Sequence, residues 1–357
     1  MSLFLSRDNL QELLGEKRKI LVTGGAGFIG SALIRRLLSK SDAKIFNIDK
    51  LSYASDLRSI QQISKSISNF DQRYEFIHLD LCDFEKTLNA IDYCKPDLIF
   101  HLAAESHVDN SIKSPNEFIK SNIIGTFNIL ESVRISLKNY SSFRRKIFRF
   151  HHVSTDEVYG EILDNSQFEE TTRYDPRSPY SASKASSDHL VKSWFHTYSL
   201  PVILSNCSNN YGPWQFPEKL IPLVIKKAIK KENIPIYGDG SNIRDWLYVE
   251  DHVDALLISS NKGELGESYC IGGNQLMTNL ELVTQICSII DEINPKPYFH
   301  KDLITFVPDR LGHDKKYSIN ASKIKSALGW ENKVLLHDGL KKTVEWYFKF
   351  FSSQSAN

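Results

Sequence analysis

The sequence predicts an α/β protein built on a doubly wound parallel sheet with helices on both faces. Short apolar segments of strand length alternate with stretches of helical periodicity. Continuous apolar strands separated by helices are typical of parallel sheets buried on both sides. The segments are KILVTG at 19–24, KIFNID at 44–49, YEFIHLD at 74–80, DLIFHLA at 97–103, KIFRFHHVS at 146–154 and PVILSN at 201–206. This alternation predicts repeated βαβ units and a Rossmann-type fold.

The regular alternation weakens after residue 206. Prolines are frequent between residues 213 and 235 and punctuate short elements. We therefore expect residues 18–206 to form the doubly wound domain, with later segments returning to it. Residues 207–357 are expected to form mainly a smaller, non-contiguous α/β domain that binds substrate at the carboxyl ends of the strands. Residues 1–17 are predicted to be a short helical or frayed extension.

The composition argues against several classes of function. The 357 residues carry a formal net charge of +1, which offers no bulk attraction to nucleic acid or to a membrane surface. Charged residues interrupt the N-terminal segment, so we expect neither a signal peptide nor a membrane anchor there. The five cysteines are dispersed without a C-x-x-C pair, which favours a reducing cytoplasm over a disulfide framework. No cluster of histidine, cysteine and acidic residues has the spacing of metal ligands, so we expect no metal.

A glycine-rich turn joins the first predicted strand to the first predicted helix in ILVTGGAGFIGSALIRRLL. Gly24, Gly27 and Gly30 allow a tight turn and a close approach of the backbone to a pyrophosphate. The amide groups at the start of the following helix then favour the phosphates. Asp49 ends the second predicted strand, where an acid binds ribose hydroxyls, and this favours NAD over NADP. Lys50 beside it leaves NADP open as the cofactor. The alternative for the glycine-rich stretch is a purely structural turn that binds no ligand.

Two further motifs place reactive side chains together. Tyr180 and Lys184 in PYSASKASSDHL are four residues apart, so on a helix they share one face. An ammonium group beside a phenol lowers the pKa of the phenol, which suits a tyrosine that removes a hydroxyl proton. In STDEVYG, Asp156 and Glu157 are adjacent acids where a buried strand should surface. Because adjacent strand residues point to opposite faces, both can serve one site only if the chain turns there.

Together these motifs resemble the extended short-chain dehydrogenase/reductase family, and in particular its nucleotide-sugar 4,6-dehydratases. The chain is most similar to the branch that acts on dTDP-glucose, and the similarity extends from Lys19 to Phe348. The stretches that carry the resemblance are TGGAGFIG, AAESHVD (103–109), STDEVYG, SPYSASKASSDHL (178–190), NCSNNYGP (206–213), FPEKLIPLVI (216–225), RDWLYVEDH (244–252) and DRLGHD (309–314). Blocks of this length make a chance resemblance implausible.

The resemblance implies an NAD-dependent hydro-lyase that converts dTDP-glucose to dTDP-4-keto-6-deoxyglucose, with Lys184 in its catalytic set. Tyr180, helped by Thr155, would deprotonate the C4 hydroxyl while hydride passes from C4 to NAD. Glu157 would then remove the C5 proton, and Asp156 would protonate the departing C6 hydroxyl. The order of these two roles comes from family likeness, because the sequence does not decide it. Return of the hydride to C6 would regenerate NAD in each turnover.

The resemblance also implies which residues bind the cofactor and the substrate. The implied NAD-binding residues are Gly24, Gly27, Phe28, Ile29, Gly30, Asp49, Lys50, Leu51, Ser52, Asp80, Leu81, Ala103, Ala104, Ser106, Ser121, Tyr180, Lys184 and Asn210. The implied sugar-nucleotide set is Ser106, Asn209, Lys219, Leu220, Pro235, Tyr237, Arg244, Asn279, Arg310 and His313. For the small residues in these sets, packing at the ends of the strands is an alternative explanation that needs no ligand. Arg244 is the foremost pyrophosphate candidate, and surface pairing with Asp245 or Asp251 is its alternative.

The resemblance further implies a homodimer in which helices at 115–138 and 180–198 of two subunits form a four-helix bundle. The apolar residues of these helices can equally face the chain's own sheet. The implied product is a precursor for deoxysugars such as rhamnose. The chain departs from the usual family pattern at Asn110, Leu311, Lys316 and Asn320, all outside the implied catalytic residues.

Other functions stay open on sequence grounds. A 4,6-dehydratase of a UDP- or GDP-linked hexose would carry the same motifs, because loops form the base pocket. A 4-epimerase needs Tyr180 and Lys184 but eliminates no water, so Asp156 and Glu157 argue against it. A non-catalytic NAD-binding protein would not require this intact set of reactive side chains.

Overall fold

The computed structural model describes residues 4–354, with side chains as far as residue 351. The described strands are β1 (Lys19–Thr23), β2 (Lys44–Asp49), β3 (Tyr74–His78), β4 (Leu98–His101), β5 (Arg149–Thr155), β6 (Val202–Cys207), β7 (Asn209–Tyr211), β8 (Ile234–Tyr237), β9 (Ile243–Tyr248), β10 (Ser268–Ile271), β11 (Leu276–Thr278) and β12 (Ile304–Val307). Each of the six apolar segments singled out in the sequence overlaps one of the first six strands, and β5 and β6 each continue one residue past their segment.

Helices connect and cover these strands. The α helices are α1 (Arg7–Leu14), α2 (Phe28–Lys40), α3 (Arg58–Gln61), α4 (Phe70–Arg73), α5 (Phe84–Cys94), α6 (Val108–Lys113), α7 (Pro115–Phe118), α8 (Gly125–Ser136), α9 (Ser142–Ile147), α10 (Pro179–Tyr198), α11 (Leu220–Ile229), α12 (Val249–Lys262), α13 (Asn279–Ile293), α14 (Ser322–Leu328) and α15 (Leu336–Gln354). Single 3-10 turns lie at Ser64–Ser66, Leu137–Asn139, Asp156–Tyr159 and His300–Leu303, and a π-helical turn lies at Ile119–Ile124.

Seven strands form one parallel sheet in the order β10-β6-β5-β4-β1-β2-β3. The predicted doubly wound α/β fold is therefore confirmed. The direction of winding reverses between β1 and β4, where Thr23 lies opposite His101. The crevice outside the carboxyl ends of the strands at such a reversal is where these folds bind their ligands. The edge strand β10 comes from residues well beyond 206.

Both faces of the sheet are buried. Along β1, Ile20 and Val22 belong to one hydrophobic core and Leu21 to another, as the alternation of strand side chains requires. The helices α1, α2 and α12 contribute to the first core, and α5, α8 and α10 to the second. The glycine-rich turn and the catalytic helix α10 are thus held on opposite faces, and both reach the carboxyl edge.

The N-terminal extension is part of the first core. Helix α1 packs on α2 and α12, and its Leu10 and Leu14 are fully buried. The Ser6 hydroxyl caps the helix by accepting the amide of Asn9. The prediction of a helix is correct, but the frayed alternative is wrong for the described residues 4–17, because this amphipathic helix has a core to cover. Residues 1–3 lie outside the description.

The later part of the chain builds two small sheets and a third hydrophobic core. Strands β11, β9 and β7 form one sheet, and β12 and β8 form the other. Helices α11, α13 and α15 pack around them. Because β7 follows β6 after one residue, this part starts directly at the carboxyl edge of the large sheet. Among the described residues, no helix combines the length and apolar character needed to cross a membrane.

Candidate active site

The glycine-rich turn lies between β1 and α2, at the reversal of the sheet. Gly24 has a φ of 71°, and a Cβ atom there would lie 2.7 Å from the amide nitrogen of Ala103. Helix α2 begins at Phe28, with Gly27 as its N-cap and no side chain capping it. The first turn of a helix leaves amide groups without intrahelical partners, so this end of α2 can offer them to an anion. The turn is a cradle that suits a dinucleotide pyrophosphate.

Asp49, at the end of β2, supports this turn. Its carboxylate accepts the amide of Ala26 at 3.0 Å, the amide of Leu51 at 2.8 Å and the Ser55 hydroxyl at 3.1 Å. These bonds tie the loop after β2 to the glycine-rich turn. The carboxylate also lines the cavity beside the turn, which is where the sequence places a ribose-binding acid.

Lys50 bridges the mouth of this cavity. Its Nζ lies 2.9 Å from a carboxylate oxygen of Glu105 and 2.7 Å from the Ser121 hydroxyl. The bridge joins the loop after β2 to the segment after β4. Pairing with Glu105 also offsets the positive charge that would attract the 2′-phosphate of NADP.

The two adjacent acids follow β5 directly. The strand ends at Thr155, and the chain passes at once into the 3-10 turn Asp156–Tyr159. The Thr155 hydroxyl accepts the amide of Glu157 at 3.2 Å and donates to Asp156 at 3.3 Å. The turn interrupts the strand alternation, and both acids line the same cavity. The turn that the sequence requires for a shared role is therefore present.

Tyr180 and Lys184 lie in the first turns of α10, and both are buried. Lys184 Nζ donates to the main-chain carbonyl of Val153 at 2.9 Å. The expected lowering of the tyrosine pKa is wrong for this state. Burial, and then the neighbouring Glu157 carboxylate, raise the pKa of Tyr180 well above its ordinary value. Burial also lowers the pKa of Lys184, so the ammonium does not outweigh these effects.

The two acids have different surroundings. Asp156 is 2% exposed, and its Oδ2 has no hydrogen-bond partner within the described protein. Burial, and then the charge of Glu157, raise the pKa of Asp156 well above its ordinary value. Burial also raises the pKa of Glu157, but the cations Arg310, Arg244 and Lys219 oppose that rise. As the pH rises, Glu157 therefore loses its proton before Asp156 does.

One cavity of about 320 Å³ brings together side chains that lie far apart in the sequence. The predicted residues that line it are Gly24, Gly27, Phe28, Ile29, Gly30, Asp49, Lys50, Ser52, Asp80, Leu81, Ala103, Ala104, Ser106, Ser121, Thr155, Asp156, Glu157, Tyr180, Lys184, Asn209, Asn210 and Lys219. The reactive side chains and the glycine-rich turn thus share a single space. Leu51 is the exception in the implied cofactor set, because its φ of 55° leaves its side chain 41% exposed and outside the lining.

Part of the implied substrate set also lies outside that lining. These residues are Leu220, Pro235, Tyr237, Arg244, Asn279, Arg310 and His313. Several of them gather around Asp109. The Tyr237 hydroxyl donates to its carboxylate at 3.3 Å, and the Arg310 guanidinium lies 3.8 Å from it. The His313 ring packs edge-on against Tyr237 and pairs with Asp309 at 2.7 Å.

Leu220, Pro235 and Asn279 occupy element ends. Leu220 starts α11 and Pro235 lies in β8. Asn279 starts α13, and its amide donates to the carbonyl of Asn242 at 3.0 Å. No hydrogen bond or ion pair joins these residues to the catalytic side chains in the described structure.

Arg244 is buried rather than paired at the surface. Its guanidinium donates to the carbonyls of Asp314 and Ile243, each at 2.8 Å, and lies 4.3 Å from the ring centre of Tyr317. The alternative of surface pairing with Asp245 or Asp251 is therefore wrong. In this state the guanidinium donates mostly to main-chain oxygens. It can therefore bind a pyrophosphate only if those hydrogen bonds are replaced by bonds to the phosphates.

Sequence reasoning missed several lining residues. Glu105, Cys207, Gln215, Phe216 and Glu218 all face the cavity. Glu105 lies inside the motif AAESHVD, and its pairing with Lys50 is a contact across the crevice that spacing does not reveal. Cys207 ends β6, and the other three lie between β7 and α11; the motifs NCSNNYGP and FPEKLIPLVI were the available signals. The Tyr53 hydroxyl donates to Glu218 at 2.8 Å, so this segment also closes onto the loop after β2.

Comparison with known proteins places these features in a family. The family model described as GDP-mannose 4,6 dehydratase matches residues 21–343. The dTDP-glucose 4,6-dehydratase of Salmonella typhimurium is 51% identical over 338 residues, which is 92% of each chain. The chain belongs to the dTDP-glucose 4,6-dehydratase family. The first dTDP-glucose 4,6-dehydratase of Escherichia coli K12 is 50% identical over 338 residues and likewise covers 92% of each chain.

Solved structures of this family share the fold. A dTDP-glucose 4,6-dehydratase from Streptomyces venezuelae with NAD bound has a TM-score of 0.83 and 36% identity, over 94% of this chain and 98% of that one. The enzyme from Bacillus anthracis in complex with NAD has a TM-score of 0.79 and 40% identity, over 92% and 96%. The resemblance seen in the sequence is confirmed. The glycine cradle and the uncapped start of α2 fit the cofactor that both structures contain.

Proposed function

We propose that this chain converts dTDP-glucose to dTDP-4-keto-6-deoxyglucose with NAD as its cofactor. The observation that carries the proposal is the pair of acids, Asp156 and Glu157, in one cavity with Tyr180 and the glycine-rich turn. Transfer of hydride to or from a sugar carbon requires NAD with Tyr180 and Lys184, but no pair of acids. Loss of water across C5 and C6 requires in addition a base for the C5 proton and an acid for the leaving hydroxyl. The relatives that share half of the sequence carry this activity in their names.

The residues that would hold NAD are those of the glycine-rich turn, for its pyrophosphate, and Asp49, for a ribose. When bound, NAD supplies the hydride acceptor for C4, the hydride donor for C6 and a positive charge in the cavity. Tyr180 takes the proton of the C4 hydroxyl. It holds its own proton in the state described here, because burial and Glu157 raise its pKa, so it acts as a base only after positive charge has been added.

The two acids divide the elimination between them. Glu157 has the cations Arg310, Arg244 and Lys219 around it, so it is the better base for the C5 proton. Asp156 is deeply buried and keeps its proton to higher pH, so it is the better donor to the C6 hydroxyl. This division agrees with the order that family likeness implies. The difference in environment, rather than in residue type, sets the two roles.

Lys219 and Arg310 are the strongest candidates to bind the diphosphate. Lys219 lines the cavity and donates to the carbonyl of Ser106 at 3.0 Å. Arg310 pairs only loosely with Asp109, and its Nε is buried without a hydrogen-bond partner in the described protein. A planar guanidinium with free donors suits phosphate oxygens.

Mass spectrometry of dTDP-glucose incubated with the purified protein tests the activity. We expect loss of one water without added NAD, because each turnover regenerates the cofactor and the protein retains it. Parallel incubations with UDP-glucose and GDP-mannose serve as the comparison. Conversion of either of these, but not of dTDP-glucose, would replace the proposed substrate. No conversion of any of the three with NAD present would refute a dehydratase.

Two isosteric variants test the division of roles. We expect Glu157→Gln to lose solvent exchange at C5 by about 10²–10⁴-fold while single-turnover formation of NADH persists. Asp156→Asn should keep C5 exchange and slow the loss of water by a similar factor. Rapid mixing in deuterated water, with NADH absorbance and mass spectrometry as the readouts, separates the two. Undiminished C5 exchange in Glu157→Gln would remove this residue as the base.

We also propose that the protein is a homodimer in the cytoplasm. Ile119 and Ile124 in the π-helical turn and Phe127 in α8 leave large apolar surfaces exposed, and Phe127 packs edge-on against Trp194 of α10. A second copy of the same face would cover them, as the implied four-helix bundle requires. Light scattering after gel filtration should give twice the chain mass, and Ile124→Arg should give a monomer. A monomeric wild-type protein would exclude this arrangement.

A further inference from the structure

A buried network of polar side chains lies beneath the catalytic helix. Its centre is Asp188, which lies one turn after Lys184 on α10 and is fully buried. Its carboxylate accepts hydrogen bonds from His152 Nε2 at 3.0 Å, the Ser154 hydroxyl at 2.8 Å, the Tyr174 hydroxyl at 3.0 Å and Asn206 Nδ2 at 3.3 Å. Donors from this many directions stabilise the charged form of a carboxylate and leave it little freedom to move.

The network extends to the turn that carries the two acids. Asn206 is buried, and its Nδ2 donates to the carbonyl of Thr155 at 3.2 Å as well as to Asp188. Thr155 in turn caps the 3-10 turn through the amide of Glu157. The carboxylate of Asp188 thus fixes the end of β5 through one intermediate side chain.

The same carboxylate lies one helical turn after Lys184 and acts on its charge without a direct ion pair between the two side chains. Burial lowers the pKa of Lys184, and Asp188 opposes this effect. Burial raises the pKa of Asp188, but the hydrogen bond from His152 and the charge of Lys184 outweigh it, so the pKa lies below its ordinary value. Asp188 is therefore an anion and balances the charge of a buried ammonium group.

No other neighbour supplies that charge in the described structure. The titratable groups that face Lys184 or Asp188 from β4, β5, the 3-10 turn after β5, the segment before α10 and β6 are His101, His152, Tyr159, Tyr174 and Cys207. Burial lowers the pKa of both histidines, to about 4 for His152. It raises the pKa of the thiol and of both phenols, to about 12 for Cys207. These groups are neutral at pH 7.

We propose that Asp188 is a positioning residue of this dehydratase, which holds Lys184 as an ammonium group and fixes the end of β5 beneath Thr155. It touches neither of the two acids and acts only through Lys184 and Asn206. Its kinetic consequence rests on the proposed function, whereas its effect on Lys184 is a property of the folded chain alone. The two are tested separately.

The first test measures stability and needs no substrate. In Asp188→Asn the ammonium of Lys184 is buried without a counter-charge, so its folded pKa falls further below its unfolded value of about 10.4. Between those two values the unfolded state binds more protons, and stability rises with pH. We expect the Tm of Asp188→Asn to lie below that of the wild type at pH 7 and the difference to shrink towards pH 9. A difference that is constant over this range would overturn the proposal.

The matched control is Tyr174→Phe, which removes one hydrogen bond from Asp188 but leaves its charge. Its Tm deficit should stay constant between pH 7 and 9, since the charge balance of Lys184 is unchanged. A deficit that shrinks with pH as much as in Asp188→Asn would show that loss of packing, rather than of charge, produces the effect, and would overturn the proposal.

The second test follows formation of NADH from dTDP-glucose in single-turnover mixing, the step that involves Tyr180 and Lys184 but not Asp156. We call the pH above which the rate of this step falls its alkaline limit. This limit should move down by about one pH unit or more in Asp188→Asn, and stay at the wild-type pH in Tyr174→Phe. An unmoved limit in Asp188→Asn would overturn the proposal.

If Asp188→Asn does not fold, Asp188→Glu takes its place. Asp188→Glu keeps the negative charge but displaces the hydrogen bond to Asn206. The maximal rate of NADH formation should therefore fall while its alkaline limit stays at the wild-type pH. A shifted limit would refute the proposal. Failure of wild-type protein to act on dTDP-glucose would remove the proposed function but leave the stability result to decide the role of Asp188.

Discussion

Gly24→Ala is the substitution that tests most directly how the cofactor cradle is built. Gly24 has a φ of 71°, and a side chain in that left-handed region costs roughly 1–2 kcal/mol. Its Cβ would also lie 2.7 Å from the nitrogen and 2.8 Å from the Cα of Ala103, both main-chain atoms. Overpacking of this kind costs about 1–3 kcal/mol. The total loss in the free energy of unfolding is therefore about 2–5 kcal/mol.

The chain offers a matched control at Gly329, the residue that follows α14. Its φ is 73°, almost the same as that of Gly24, but nothing lies within 4 Å of its Cβ position. Gly329→Ala should thus lose only the backbone part, about 1–2 kcal/mol. Calorimetry should give a Tm decrease of about 2–4 °C for this control and about 4–10 °C for Gly24→Ala, at about 2 °C per kcal/mol.

The content of NAD in the purified variants is the second readout. Relief of the contact at Gly24 moves the turn away from the end of β4, so we expect Gly24→Ala to be purified with little NAD. Gly329→Ala should retain the wild-type amount. Equal Tm losses in the two variants, or full NAD content in Gly24→Ala, would refute the inference that close packing against Ala103 sets the shape of the cradle.

Three further predictions concern other parts of the molecule. Leu10→Ala should lower the free energy of unfolding by about 2–5 kcal/mol in denaturant titration, because Leu10 is fully buried, whereas the half-buried Leu13 should cost clearly less on the same change. Lys50→Gln should speed the release of NAD up to about fivefold in a chase experiment, since a partly exposed pair with Glu105 is worth at most about 1 kcal/mol; an unchanged rate would contradict the bridge. The rate of C5 exchange should fall as the pH drops through the raised pKa of Glu157, so its acid limit should lie above the ordinary glutamate pKa; a limit below that value would contradict the burial effect.

The large sheet and the cofactor turn are predictable from the sequence because each depends on local pattern. The six apolar segments predict six strands, and Gly24, Gly27 and Gly30 predict the turn. The edge strand β10 is not predictable in the same way. Its four residues, Ser268–Ile271, are too short and too ordinary to stand out, and only pairing with β6 defines them.

The candidate site divides along the same line. Asp156 and Glu157 stand out because two adjacent acids after a buried strand need an explanation. The bridge from Lys50 to Glu105 does not, since its partners meet only when two loops close over the crevice. The pKa of Tyr180 was expected in the wrong direction for a related reason: the spacing to Lys184 shows a neighbouring charge, but the extent of burial is a property of the whole fold.

The packing of α1 has a consequence for the order in which the protein is assembled on the ribosome. Leu10 and Leu14 are made long before α12, which covers them together with α2, and β10 completes the sheet later still. At about 5–20 residues per second, α2 emerges within seconds of α1, but α12 follows only after tens of seconds. The nascent chain must therefore carry the apolar face of this amphipathic helix without its α12 partner until that helix has emerged, and the sheet of the cofactor-binding part cannot be complete before residue 271 has left the tunnel.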